Sequence, residues 1–143
     1  MSKSAEETKD FGTEIAKKLD TGGIKRAVIA MRGEMGVGKT AFTSGFAAHF
    51  GISGVKSPTY AVMNQYGRGA KTKIYHFDMY RIESDDDLFS VGYDDYLRRD
   101  GYIIAEWSEN VEDSIPDDAI YVTISRTEND ASERCIEILF IGE

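Results

Sequence analysis

The sequence predicts a three-layer α/β fold in which a mixed, mainly parallel central sheet is flanked by helices and closed by a C-terminal antiparallel pair. Three features carry that expectation. The continuous apolar run Ala27-Val28-Ile29-Ala30-Met31 reads as a strand buried on both faces. A glycine-rich loop follows directly and leads into a segment where Phe42, Phe46 and Phe50 recur every four residues, one face of a helix. A second buried-strand run, Tyr102-Ile103-Ile104-Ala105, stands further on, and strands alternating with helical patterns are the signature of α/β architecture.

The elements follow in chain order. Ser4 and Glu7 have capping-box spacing, and Phe11, Ile15 and Leu19 then share one face of a helix over residues 5–20, which Gly22-Gly23 would end. A second helix is expected over 39–50, stopping at Gly51. Tyr60 to Tyr66 and Thr72 to Phe77 read as strands joined around Gly67-Arg68-Gly69, a hairpin at the sheet edge. Ser84 with Asp87, then Leu88 and Val91, suggests a short capped helix, and Tyr96-Leu97 another. Ala119 to Ser125 and Cys135 to Ile141 form the closing pair.

With 143 residues and 41% hydrophobic content, the chain is expected to form one domain over 1–143. A formal net charge of −8 argues against a broad basic surface for gripping a nucleic-acid backbone, so any RNA is expected to be held by a partner. The single cysteine excludes an intrachain disulfide and a multi-cysteine zinc site. The N-terminus lacks the apolar core of a signal peptide and no apolar run approaches a membrane span, so the expected location is the cytoplasm.

The sharpest signal is Gly33-Glu34-Met35-Gly36-Val37-Gly38-Lys39-Thr40, which satisfies the phosphate-loop pattern G-x-x-x-x-G-K-[ST] in the strand–loop–helix context it requires. Glycines let backbone N–H groups curl around phosphate oxygens, and the helix N-terminus adds positive potential there. Lys39 would reach the β- and γ-phosphates, and the Thr40 hydroxyl would bind Mg²⁺. Such a loop also needs an acidic group for the metal or its waters. Asp78 follows Ile74-Tyr75-His76-Phe77, and Glu106 follows Tyr102 to Ala105, each at the end of a buried strand. Either carboxylate alone could simply cap the next helix. Guanine specificity is unsupported, since no N-K-x-D motif exists and the only D-x-x-G, Asp20 to Gly23, precedes the loop.

Beyond the loop, Ser57-Pro58-Thr59-Tyr60, His76-Phe77-Asp78-Met79-Tyr80-Arg81 and Glu106-Trp107, in this order and spacing, resemble the TsaE family, also known as YjeE. The resemblance runs from the first helix to about Pro116. It implies an ATPase that works with a TsaB–TsaD complex to make threonylcarbamoyladenosine (t6A) in tRNA, resetting that complex without transferring the group itself. It further implies that Thr40 and Glu106 are the magnesium ligands, directly or through water, and that Asp78 is a second acid near the γ-phosphate. Lys39, Asp78 and Glu106 would be the catalytic set. Thr59 would sense the γ-phosphate and Thr8 would help seat the nucleotide. Ala41, Met35, Met79 and Ser108 depart from the family pattern without removing a phosphate or metal ligand.

Other residues carry two readings. Pro58 presents Thr59 to the nucleotide or belongs to an ordinary loop. Trp107 packs under the sheet or anchors a partner. His76 reads as a core residue or one that supports a ligand from behind, with no second histidine or cysteine near it to share a metal. Tyr80 and Arg81 orient Asp78, meet a partner or make a structural ion pair. The acidic run Glu83, Asp85, Asp86, Asp87 with Asp94 and Asp95 is a solvated face or a dock for a basic partner. Besides the t6A role, a stand-alone small-molecule kinase and a nucleotide-gated module that does not hydrolyse remain open.

Overall fold

The fold is seen in a computed structural model that describes residues 5–33, 39–53, 55, 63–67, 72–79, 82, 87, 92–106, 108, 115–116, 118–126 and 134–140. The helices are α1 (Ala5–Thr21), α2 (Lys39–His49) and α3 (Tyr93–Leu97). The strands are β1 (Arg26–Arg32), β2 (Met63–Tyr66), β3 (Ile74–Asp78), β4 (Gly101–Glu106), β5 (Ile120–Arg126) and β6 (Arg134–Phe140). The strands form one six-stranded sheet in the order β2-β3-β4-β1-β5-β6. Strands β3, β4, β1 and β5 run parallel, while β2 and β6 add antiparallel at the two edges. The mixed, mainly parallel sheet and its closing antiparallel pair are therefore as expected.

The parallel strands are apolar throughout because both faces are covered. On one face Ile29, Met31, Ile74, Tyr102, Ile104, Ile120, Val122 and Ile124 pack beneath α1 and α2. On the other, Val28, Ala30, Tyr75, Phe77, Ile103 and Ala105 meet Tyr93 of α3, Ile115 and Ala119. The strands extend one residue beyond the apolar runs, so Asp78 and Glu106 end β3 and β4 instead of following them. Parallel pairing continues the ladder to these carboxylates, with Asp78 opposite Glu106 and Glu106 opposite Met31. The predicted hairpin forms with a shorter first strand among the described residues, and its Gly67 takes a φ of 81° where a Cβ would meet the Thr72 carbonyl oxygen at 2.4 Å.

Helices α1 and α2 lie unusually close. A Cβ on Gly12 would fall 2.0 Å from the Phe42 carbonyl oxygen, and one on Gly45 1.8 Å from that of Lys9. Thr13 Oγ1 donates to the Gly45 carbonyl oxygen across the contact (2.8 Å). Phe42 and Phe46 fill the space beneath, each fully buried and contributing roughly 1.5–3 kcal/mol. Both helices end as their glycines predict. Ile24 N–H donates to Leu19 and Gly23 N–H to Asp20, while Ile52 N–H donates to Ala47 and Gly51 N–H to Ala48. Gly23 and Gly51 supply the left-handed φ of 71° and 76° that this cap requires. The capping serine Ser4 and most of the helix expected from Ser84 lie outside the described residues.

Candidate functional site

The chain leaves β1 toward β2 and β3 on one side of the sheet, whereas after β4 it crosses to β5 on the other. Connections that diverge this way open a crevice at the carboxyl ends of the parallel strands, the usual ligand position in such sheets. The glycine loop starts there. Gly33 follows β1 with a φ of 139°, a conformation that side chains rarely adopt. Residues 34–38, the loop's interior with Glu34, Met35, Gly36, Val37 and Gly38, lie outside the described residues, as does Thr59.

Lys39 opens α2 and is buried, its Nζ donating to the Gly33 carbonyl oxygen at 3.0 Å. This bond joins the first and penultimate positions of the motif and holds the ammonium at the loop. Thr40 follows, half-buried in the first turn of α2. One turn on, the buried Thr43 hydroxyl lies 3.0 Å from the Lys39 carbonyl oxygen and 3.7 Å from the Met31 sulfur, tying α2 to the end of β1. Ser108, also buried, donates to the Met31 carbonyl oxygen (3.2 Å) and ties the segment after β4 to the same point.

The register brings the acidic candidates to this end. Asp78 and Glu106 stand opposite each other on β3 and β4, on the face covered by α1 and α2. Asp78 is half-buried, whereas Glu106 is 6% exposed. A nearly buried carboxylate needs a donor, and Nε2 of the fully buried His76 hydrogen-bonds Glu106 Oε2. The Tyr66 hydroxyl lies 3.3 Å from His76 Nδ1. Thr8 is buried on α1, one turn before Gly12. It adjoins the stretch Lys9 to Thr13 that meets Phe42 to Phe46 of α2, and further along the two helices Asp20 meets His49.

These groups fit a magnesium nucleotide. The available donors are hydroxyl and carboxylate oxygens, the ligands of a hard cation, and Mg²⁺ is ordinarily held by one or two carboxylates together with phosphates and water. Among the described residues no group of three or more histidine, cysteine, aspartate or glutamate side chains is placed to hold a metal ion. His76 is engaged through both ring nitrogens, by the Tyr66 hydroxyl at Nδ1 and by Glu106 at Nε2.

The family described as Threonylcarbamoyl adenosine biosynthesis protein TsaE matches residues 2–136, nearly the whole chain. This chain belongs to the TsaE family. Among its relatives named tRNA threonylcarbamoyladenosine biosynthesis protein TsaE, that of Haemophilus influenzae is 38% identical over 112 residues, covering 78% of this chain and 69% of the relative. The Bacillus subtilis protein is 35% identical over 107 residues, 74% of this chain and 66% of its own length. That of Treponema pallidum is 30% identical over 125 residues, 87% and 88% of the two chains. The crystal structure of Bacillus subtilis YdiB superposes with a TM-score of 0.74 at 26% identity, covering 97% of this chain and 82% of that one. The TsaE resemblance read from the three sequence segments thus holds over more of the chain than those segments span. Lys39, Thr40, Asp78, Glu106 and His76 stand out in the sequence, whereas Tyr66 and Thr43 do not, and Ser108 shows there only as a departure from the family pattern. Their signal is placement: Tyr66 lies on the strand paired with the His-Phe-Asp segment, and Thr43 stands one turn after Lys39.

Proposed function

We propose that this TsaE-family chain is the ATP-binding and hydrolysing subunit of the machinery that makes threonylcarbamoyladenosine in tRNA, acting on a TsaB–TsaD complex, with tRNA engaged only through that complex. The observation that supports the reading is that Lys39 and Thr40 open α2, which follows β1, while Asp78 and Glu106 stand in register at the ends of β3 and β4 in the same sheet. A phosphate loop alone binds; a loop with acids beside it can also hydrolyse. The names of the relatives supply the pathway.

In this reading Gly33 to Thr40 cradle the triphosphate. Lys39 keeps its charge at the β- and γ-phosphates, where negative charge shifts as the bond to the γ-phosphorus breaks. Thr40 and Glu106 hold Mg²⁺, which when bound neutralises the phosphate oxygens. Asp78 stands beside them to orient the attacking water, and Thr8 and Thr59 seat the nucleotide. Local concentration of opposite charges in a partly buried site makes each of these groups count for more than in water. The output is a conformational cycle in the partner complex.

The test is ATP turnover by the purified chain, alone and with TsaB–TsaD and tRNA. Strong stimulation by the complex and tRNA is expected. Phosphate appearing on a small metabolite would replace this reading with a stand-alone kinase, and ATP-promoted assembly without turnover would replace it with a nucleotide-gated binding module.

A further inference from the structure

We infer that His76 is a positioning residue for Glu106, one that pins a single carboxylate oxygen so that the other is presented to the magnesium nucleotide; this rests on the reading of Glu106 as a metal-facing carboxylate. Three neighbouring strands contribute to the arrangement: Tyr66 from β2, His76 from β3 and Glu106 from β4. His76 Nε2 bonds Glu106 Oε2, and the Tyr66 hydroxyl stands 3.3 Å from His76 Nδ1 with the two ring centroids 6.0 Å apart.

Chemistry gives this line one direction. An ionised carboxylate only accepts, so Nε2 carries the proton it shares with Glu106. In the neutral ring Nδ1 then accepts from the Tyr66 hydroxyl. Packing alone does not explain an imidazole here. His76 has no solvent exposure, and its register partner Ile104 and strand neighbour Ile74 belong to the aliphatic layer beneath α1 and α2. Isoleucine or leucine would fill such a place without the desolvation cost that His76 offsets only by bonding both nitrogens. Its contact reaches Glu106, two residues beyond its register partner, toward the crevice end of the sheet. Glutamate has three rotatable side-chain bonds, and a pinned oxygen leaves the other preset for metal before the nucleotide arrives.

The test compares variants that separate the two ring nitrogens. His76→Gln places an amide donor near the position of Nε2, whereas His76→Asn places one near Nδ1 and loses the bond to Glu106. The readouts are Mn²⁺ binding in the presence of a non-hydrolysable ATP analogue, followed by electron paramagnetic resonance, and nucleotide affinity in excess chelator. H76N is expected to weaken metal binding about tenfold with metal-free nucleotide affinity unchanged, and H76Q to restore metal binding to within about twofold. Equal metal binding in wild type and H76N, or an H76Q no better than H76N, would overturn the inference. Glu106→Gln is measured alongside: if E106Q itself leaves metal binding unchanged, it is the reading of Glu106 that fails. Nitrogen-15 NMR of the wild-type chain adds a measurement independent of any variant's folding, in which the Nε2–H tautomer of His76 is expected and the Nδ1–H tautomer contradicts the assignment.

Discussion

Lys39 shows what one side chain decides. Its ammonium is buried and bonded to the Gly33 carbonyl oxygen, and on the proposed reading it holds its charge for the phosphates. Lys39→Ala is expected to lower ATP turnover at least about 100-fold, as loss of an aligned charge does. Loss of a charge-assisted hydrogen bond costs about 1.5–3 kcal/mol, less than the stability of an ordinary domain, so the variant should still unfold in one cooperative transition. Retained ATP-dependent activity would refute the site. Glu106→Ala is expected to reduce chiefly the magnesium-dependent part of turnover, and survival of turnover in E106A with its loss in Asp78→Ala would show that the two acids have exchanged roles. Tyr93 supplies a residue-scale prediction of another kind. Burial first, then Asp94 and Tyr121, push its pKa up to about 12 from 10.0. The folded state favours the neutral phenol, so this contribution is intact below about pH 10 and is lost as pH rises toward 12, at about 1.4 kcal/mol per pH unit. Denaturant titrations between pH 9 and about 12 should show that slope, and Tyr93→Phe should flatten it.

The helix pair α1–α2 carries the clearest prediction about elements. The glycines that end these helices were legible because a left-handed cap is a local demand. The glycines that join them were not, because Gly12 and Gly45 look like weak points of helical patterns until the two backbones are seen to touch. Gly45→Ala would drive a methyl into the Lys9 carbonyl and force the helices apart, at roughly 1–3 kcal/mol. Calorimetry should record a fall of roughly 3–10 °C in the unfolding midpoint. Gly23→Ala is the comparison: its Cβ meets nothing within 4 Å, so only the φ of 71° is strained, at about 1 kcal/mol. Equal effects would mean that the close approach of α1 to α2 is not what requires Gly45.

For the molecule as a whole, charge is the property that reaches furthest. The chain carries −8, and Asp94 and Asp95 are exposed on α3, on the sheet face opposite α1 and α2. Asp85 and Asp86 lie outside the described residues. If this acidic segment docks a basic partner surface, replacing Asp85, Asp86, Asp87, Asp94 and Asp95 with serine should slow association with TsaB–TsaD roughly tenfold at low salt and less at high salt. Stopped-flow association over a salt series measures this, and an unchanged on-rate would rule the docking role out.

The phosphate loop, the elements that flank it, the α/β class and the family all follow from the order of amino acids alone. The first three rest on local periodicity and spacing and the family on the resemblance of its motifs, none of which needs knowledge of what packs on what. Folding in three dimensions was needed to place β1 between β4 and β5, to pair Asp78 with Glu106, and to bring His76 and Tyr66 to Glu106. Those facts depend on strand order and register, set by burying both faces of one sheet at once. Residues distant along the chain become neighbours only when that burial is complete.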